Sequence, residues 1–192
     1  LSKQIIIFEN IQLKRVIDDY FVKSSETFAK VLIDKRSPFL RSIVINKGSK
    51  NGIKIGMIVL DDIYLIGKVV EVNYLTSRVL LVSDINSKVP VSIEPIGIQA
   101  IMSGTGKQNG TLQYLNTENI KSNNKDLLVV TSGAGSVFNS GIPIGKINKE
   151  IDLNNEDILV NFYKDFTQLK YVKVSSNKKI IIDQSNKQQL EV

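Results

Sequence analysis

The 192-residue sequence has no cysteine and no histidine. Without thiolates and imidazoles, structural zinc, iron–sulfur and haem sites lose their usual donors. The missing imidazole also removes the commonest general base at neutral pH. A carboxylate-only calcium site would call for an Asp-x-Asp-x-Asp-Gly loop, and none occurs. Long apolar runs are absent too: no stretch approaches the ~18 residues that a membrane span requires. The chain begins at Leu1 and shows neither a signal peptide nor a stop-transfer segment, which places any targeting information upstream. Freedom from cysteine fits an oxidising compartment without disulfides as well as it fits the cytosol, so it leaves the compartment open.

What is present is ordinary in bulk. Hydrophobic residues make up 42% and charged residues 23%. A chain of this length suffices for one domain or two small ones and removes roughly 70% of its unfolded surface from water on folding. The net charge of +6 comes from 25 Lys plus Arg against 19 Asp plus Glu. The lysines are scattered, with short clusters at Lys47, Lys50, Lys54 and at Lys173, Lys178, Lys179. No aromatic-and-basic motif interleaves them, so nucleic acid is not an expected partner and the excess reads as a solubilising surface.

Residues 4–23 contain no Gly or Pro. Ile6, Leu13 and Tyr20 recur every seven residues, with Asn10 and Ile17 in the complementary seam. This spacing predicts a helix over residues 1–26 that self-associates as the end of a coiled coil, with Asn10 setting its register. The same stripe would also suit a helix packed on its own domain. From Thr27 onward the texture changes to short β-branched runs between turn residues. Strands are expected at 28–34, 42–46, 57–60, 64–73, 77–83, 89–94, 98–103, 111–114, 127–131, 143–151, 157–162 and 169–174. Asn51-Gly52 and Asn109-Gly110 read as tight turns and Asp61-Asp62 as a hairpin tip.

An internal echo organises these strands. Gly56–Leu60, Leu65–Val70 and Arg78–Val82 match in order Asp126–Val130, Pro143–Ile147 and Asp157–Val160, each set centred on Ile-Gly-Lys. The expected fold is therefore mainly β, two small six-stranded barrels in tandem after the helix: 27–85 the first, 86–174 the second, and 175–192 a polar tail. Gly48, Gly52, Gly56, Gly67, Gly133, Gly135, Gly141 and Gly145 are expected to serve turns and close backbone approaches.

Residues 130–147 hold four glycines, three serines and a lysine, a composition that invites an enzymatic reading. A serine nucleophile on a protease-like double barrel needs a histidine, and there is none. A Ser-Lys dyad drawn from Ser132 or Ser136 and Lys146 or Lys107 is the alternative, but its lysine must be desolvated, and both stand in polar, turn-rich sequence. Ser103–Gly110 lacks the Walker pattern, with Ile101 and Gln108 at two of its required positions, and reads as a hairpin closed by Asn109-Gly110. Asp61 with Asp62, or Glu156 with Asp157, are neighbours whose side chains diverge on a strand. No catalytic residue, metal ligand or cofactor is expected. Phe138 and Ile142, apolar in a loop that should face water, are the candidate partner surface.

The order of Ser37–Gly48, Asn51–Met57, Gly67–Val72, Ser77–Asp84, Lys88–Val91, Ser103–Gly106, Val130–Gly133, Phe138, Gly141–Lys146 and Asp165-Phe166 resembles the rod-shape-determining protein MreC family of bacteria, over about residues 30–174. The resemblance implies a non-enzymatic scaffold of the cell-elongation machinery, with a membrane anchor upstream and the barrels on the periplasmic side of the inner membrane. It further implies dimers or filaments, contact with the class B penicillin-binding protein of elongation and with MreD, and an indirect link to MreB.

Overall fold

The computed structural model describes residues 26–32, 42–114, 127–147 and 158–176. Twelve strands run through them: β1 (Glu26–Leu32), β2 (Ser42–Ile45), β3 (Ile58–Asp61), β4 (Tyr64–Val72), β5 (Ser77–Leu81), β6 (Lys88–Glu94), β7 (Ile98–Gly104), β8 (Asn109–Gln113), β9 (Leu127–Thr131), β10 (Pro143–Ile147), β11 (Ile158–Phe162) and β12 (Tyr171–Ser175). They form two closed six-stranded barrels whose strand pairs are all antiparallel, in the orders β1-β12-β3-β4-β5-β2 and β10-β11-β8-β7-β6-β9.

Alternation in sequence becomes inside and outside in the barrel. In β6, Val89, Val91 and Ile93 are fully buried while Lys88 faces water. In β5, Ser77, Val79 and Leu81 point inward. The exception is informative. Leu65 and Ile66 of β4 are consecutive and both are buried, at the point where the pairing of β4 with β3 shifts register. β4 also lies against β10 of the second barrel. These two strands carry the two copies of the Ile-Gly-Lys echo, so equivalent strands of the repeated units meet at the barrel junction.

The echo also explains its glycines. Gly67 and Gly145 lie within β4 and β10, not in turns. A Cβ on Gly67 would overlap the backbone carbonyl of Leu80 in β5, and one on Gly145 would overlap that of Asn161 in β11. Pairing of β4 with β3 and of β10 with β9 shifts register beside each glycine, the local bend a small barrel needs to close.

Three expectations require correction. The sequence boundary at residues 86–174 puts β12 in the second barrel, but the strand pairs with β1 and β3 and closes the first. The second barrel uses six consecutive strands, β6 to β11, whereas the first takes its sixth from beyond them. Second, Asn109-Gly110 does not make the turn: both residues begin β8, and residues 105–108 reverse the chain with Gly106 at φ 78°. Third, Glu26 opens β1 and does not end a helix. The remaining helix positions, including Ile6, Asn10, Leu13, Ile17 and Tyr20, lie outside the described residues, as does the tail from residue 177.

Gly67→Ala and Gly145→Ala should each destabilise the chain by about 1–3 kcal/mol or more, because backbone has to yield to the added methyl. Urea denaturation measures this, and an unchanged midpoint for both variants would show that the strands part freely.

Candidate functional site

The glycine-rich connection between β9 and β10 is folded back onto its own barrel. Thr131, fully buried, is the knot: its backbone N–H donates to Ile142 O at 2.9 Å, its Oγ1 accepts from Ile142 N at 2.9 Å, and the same hydroxyl donates to Asn139 O. Its carbonyl accepts from Gly141 N, and Ser132 N donates to Pro90 O of β6. The chain then turns through a 3-10 segment, Ala134–Ser136, with Gly133 at φ 77°. Gly133, Gly135 and Gly141 all have positive φ, as do Gly52 and Gly56 in the loop before β3, whereas Gly48 is extended and pressed against Asn73.

This geometry corrects the partner-surface expectation. Phe138 and Ile142 are 4% and 8% exposed and belong to the core, because the Thr131 hydrogen bonds draw residues 138–142 inward. Nor does the loop bring Ser132 to Lys146. Lys146 stands opposite Leu128 on β9, four residues and so about 13 Å along the strand from Ser132. Ser132 Oγ is engaged by Ala134 N at 3.2 Å. Lys146 and Lys107 are exposed, the opposite of what a lysine base requires. Among the described residues no cluster of three or more His, Cys, Asp or Glu side chains could hold a metal ion.

The surface that the fold does build lies where β12 returns to the first barrel. The connection from β11 crosses between barrels and is fastened at several points. Lys164 Nζ bonds Asp61 Oδ2 at 2.9 Å and sits 5.2 Å from the centre of the Tyr64 ring, while the Tyr64 and Tyr163 rings lie 5.1 Å apart. Asp165 caps the short 3-10 turn Phe166–Gln168, and Gln108 of the β7–β8 turn reaches it at 2.7 Å. Hydrogen bonds from the Thr167 hydroxyl, the Thr167 backbone and Gln108 hold the Asp165 carboxyl below the usual aspartate range. Phe166, buried, packs on Phe162 with ring centres 5.3 Å apart.

Asp61 also lines a cleft of about 260 Å³ on the outer face of the first barrel, with Phe28 of β1, Asp62 at the β3–β4 tip, and Tyr171 and Lys173 of β12. Phe28 and Tyr171 are 71% and 64% exposed although they sit on regular strands. Lys173 faces Phe28 across the ladder and is held by Glu26 at 3.1 Å. Tyr64, Tyr163, Lys164, Phe28 and Tyr171 belong to no motif in the sequence. On strands, outward aromatics are a readable signal once the inward set is known.

Phe138→Ala should cost about 3–5 kcal/mol, the range for emptying a buried aromatic site. Thermal unfolding measures it, and a melting temperature equal to that of the parent chain would return Phe138 to the surface.

Comparison with known proteins gives a consistent answer. Residues 31–176 match the family described as rod shape-determining protein MreC, barrel core. Over 153 residues the chain is 37% identical to the cell shape-determining protein MreC of Caulobacter vibrioides, covering 73% of this chain and 43% of that protein. The fold superimposes on the crystal structure of MreC from Pseudomonas aeruginosa with a TM-score of 0.68 at 29% identity, over 78% of this chain and 98% of the other. A likeness of fold alone, TM-score 0.56 at 15% identity, links it to a chain in the complex between penicillin-binding protein PBP2 and MreC from Helicobacter pylori, covering 81% of this chain and 100% of that one. The chain spans less than half the length of the curated relatives it matches. With the family match running from residue 31 to 176 and so taking in β2 to β12, the chain belongs to the rod shape-determining protein MreC family.

Proposed function

We propose that this chain is the barrel body of a non-enzymatic scaffold that maintains rod shape on the periplasmic side of the inner membrane, anchored through a segment upstream. It self-associates through residues 4–23 and docks the class B penicillin-binding protein of elongation. In this reading it also contacts MreD and is linked indirectly to MreB. Family membership supports the role in cell shape, and the Helicobacter pylori complex supports a penicillin-binding protein as partner.

The observation that carries the docking function is the cleft around Phe28 and Tyr171. Because the described strands close into two rings, a partner binds chiefly through side chains on the outer face. Two exposed aromatics flanking a shallow cleft, with Asp62 and Lys173 at its margin, have the make-up of an interface anchor and its polar rim. Asp61 joins the cleft to the clamp that holds the barrels together, so a docked partner is held against a rigid two-barrel frame.

Phe28→Ala and Tyr171→Ala should each weaken binding to the periplasmic part of the elongation penicillin-binding protein by about tenfold or more, with melting temperature unchanged. Parental affinity in both variants would remove the cleft from the interface. For self-association, Leu13→Asp with Ile17→Asp should lower the molar mass measured by light scattering to that of a single chain. A mass that stays above it would place self-association elsewhere.

A further inference from the structure

The first barrel has a second distinctive surface, at the end away from the second barrel. β1 runs in the same direction as β5, because each is antiparallel to β2. The β4–β5 turn, residues 73–76, therefore lies at the end of the barrel where β1 begins and β12 finishes, opposite the end from which β5 runs on toward β6. This turn exposes Tyr74 at 66% and Leu75 at 58%.

The turn does not stand alone. The loop between β2 and β3 is laced to it: Ser49 N donates to Asn73 O at 2.9 Å, Lys50 N to Tyr74 O at 3.1 Å, and Ser77 Oγ to Lys47 O at 2.8 Å. Gly48 sits so close to Asn73 and Tyr74 that a Cβ would overlap their carbonyl oxygens. The same loop exposes Ile55 at 70% and carries Lys47, Lys50 and Lys54. Residues 46–57 and 73–76 contain no acidic side chain. Three large exposed apolar groups and three lysines thus share one tightly bonded end of a barrel.

We propose that this end inserts Tyr74 and Leu75 into the interfacial region of an anionic lipid surface while Lys47, Lys50 and Lys54 lie among the headgroups. A tyrosine with its hydroxyl at headgroup level and a neighbouring leucine below it match the polarity gradient of a bilayer interface, and lysines snorkel to the phosphates. The nearest acidic groups at this end, Glu71 and Glu26, are paired with Arg78 and Lys173, so the three loop lysines set the sign of the charge beside the exposed Ile55, Tyr74 and Leu75. The inference goes beyond the scaffold reading and is independent of the Phe28 and Tyr171 cleft.

The sequence has no tryptophan, so Tyr74→Trp introduces a single indole reporter. The full 192-residue chain carrying Tyr74→Trp is mixed with vesicles of equal parts phosphatidylglycerol and phosphatidylcholine at low salt, and with phosphatidylcholine vesicles alone. The expected result is a blue-shifted, bromolipid-quenched emission with the anionic vesicles only, reversed on the order of 0.5 M salt. In the parent chain, Leu75→Ala and separately Ile55→Ala should each weaken vesicle binding about severalfold, and Lys50→Glu with Lys54→Glu about tenfold or more, all with parental melting temperatures. Co-sedimentation with a water-exposed indole would mean that another segment binds lipid and would overturn the proposal. Binding that follows salt but ignores Leu75 and Ile55 would reduce it to the net charge of the chain and overturn it as well. An indole that shifts without lipid as protein concentration rises would assign the patch to contacts between copies of the chain.

Discussion

β12 bonds to β1 along one edge and to β3 along the other, and these two ladders turn five strands into a closed ring. The ring depends on a segment that lies beyond the whole second barrel in the chain. The second barrel therefore has to be built, or at least its ends brought together, before the first is complete. The clamp around Lys164 follows from the same constraint. A chain that crosses back between barrels carries polar groups through a junction, and Asp61, Tyr64 and Gln108 give Lys164, Tyr163 and Asp165 of that chain their partners there. One long-range pairing thus fixes the first barrel, the barrel-to-barrel geometry and the position of the outer-face cleft.

Duplication supplies the rest. In each barrel three consecutive strands form the same meander, β3-β4-β5 and β9-β10-β11, and the central strand of each carries a glycine where its neighbour's backbone closes in. The two central strands then lie against each other. A rule that began as a repeated Ile-Gly-Lys in sequence becomes a closure device inside each barrel and a contact between them. Thr131 reels in the longer turn of the second copy, and that turn's two large apolar side chains complete the core.

Much of this was legible in the residues because period-two burial is a local property. Val89, Val91 and Ile93 announce a strand without any knowledge of their neighbours. The partner of a strand is not local, which is why β12 was placed with the strands beside it in sequence. A count could have exposed the error: the expected boundaries give five strands to residues 27–85 and seven to 86–174, and two rings of six require one strand to cross. Phe138 and Ile142 misled for a related reason. A long loop rich in glycine and serine reads as solvent-facing, but a buried hydroxyl at its root, Thr131, satisfies the backbone groups that folding it inward would otherwise strand. The outward aromatics Phe28 and Tyr171 alternate with the buried Ala29, Val172 and Val174, so they are readable only once that inward set is known.

The pairing of Glu26 with Ser175 places the first and last strands of the folded body side by side. Under tension this arrangement has two very different responses. A load applied between the leading and trailing segments would unzip the β1–β12 ladder one rung at a time, at low force. A load applied between the leading segment and a partner seated on the outer face would be carried in shear by several ladders at once. A protein built this way yields readily in one direction and stands firm in the other, so the direction of load decides whether the frame holds or opens.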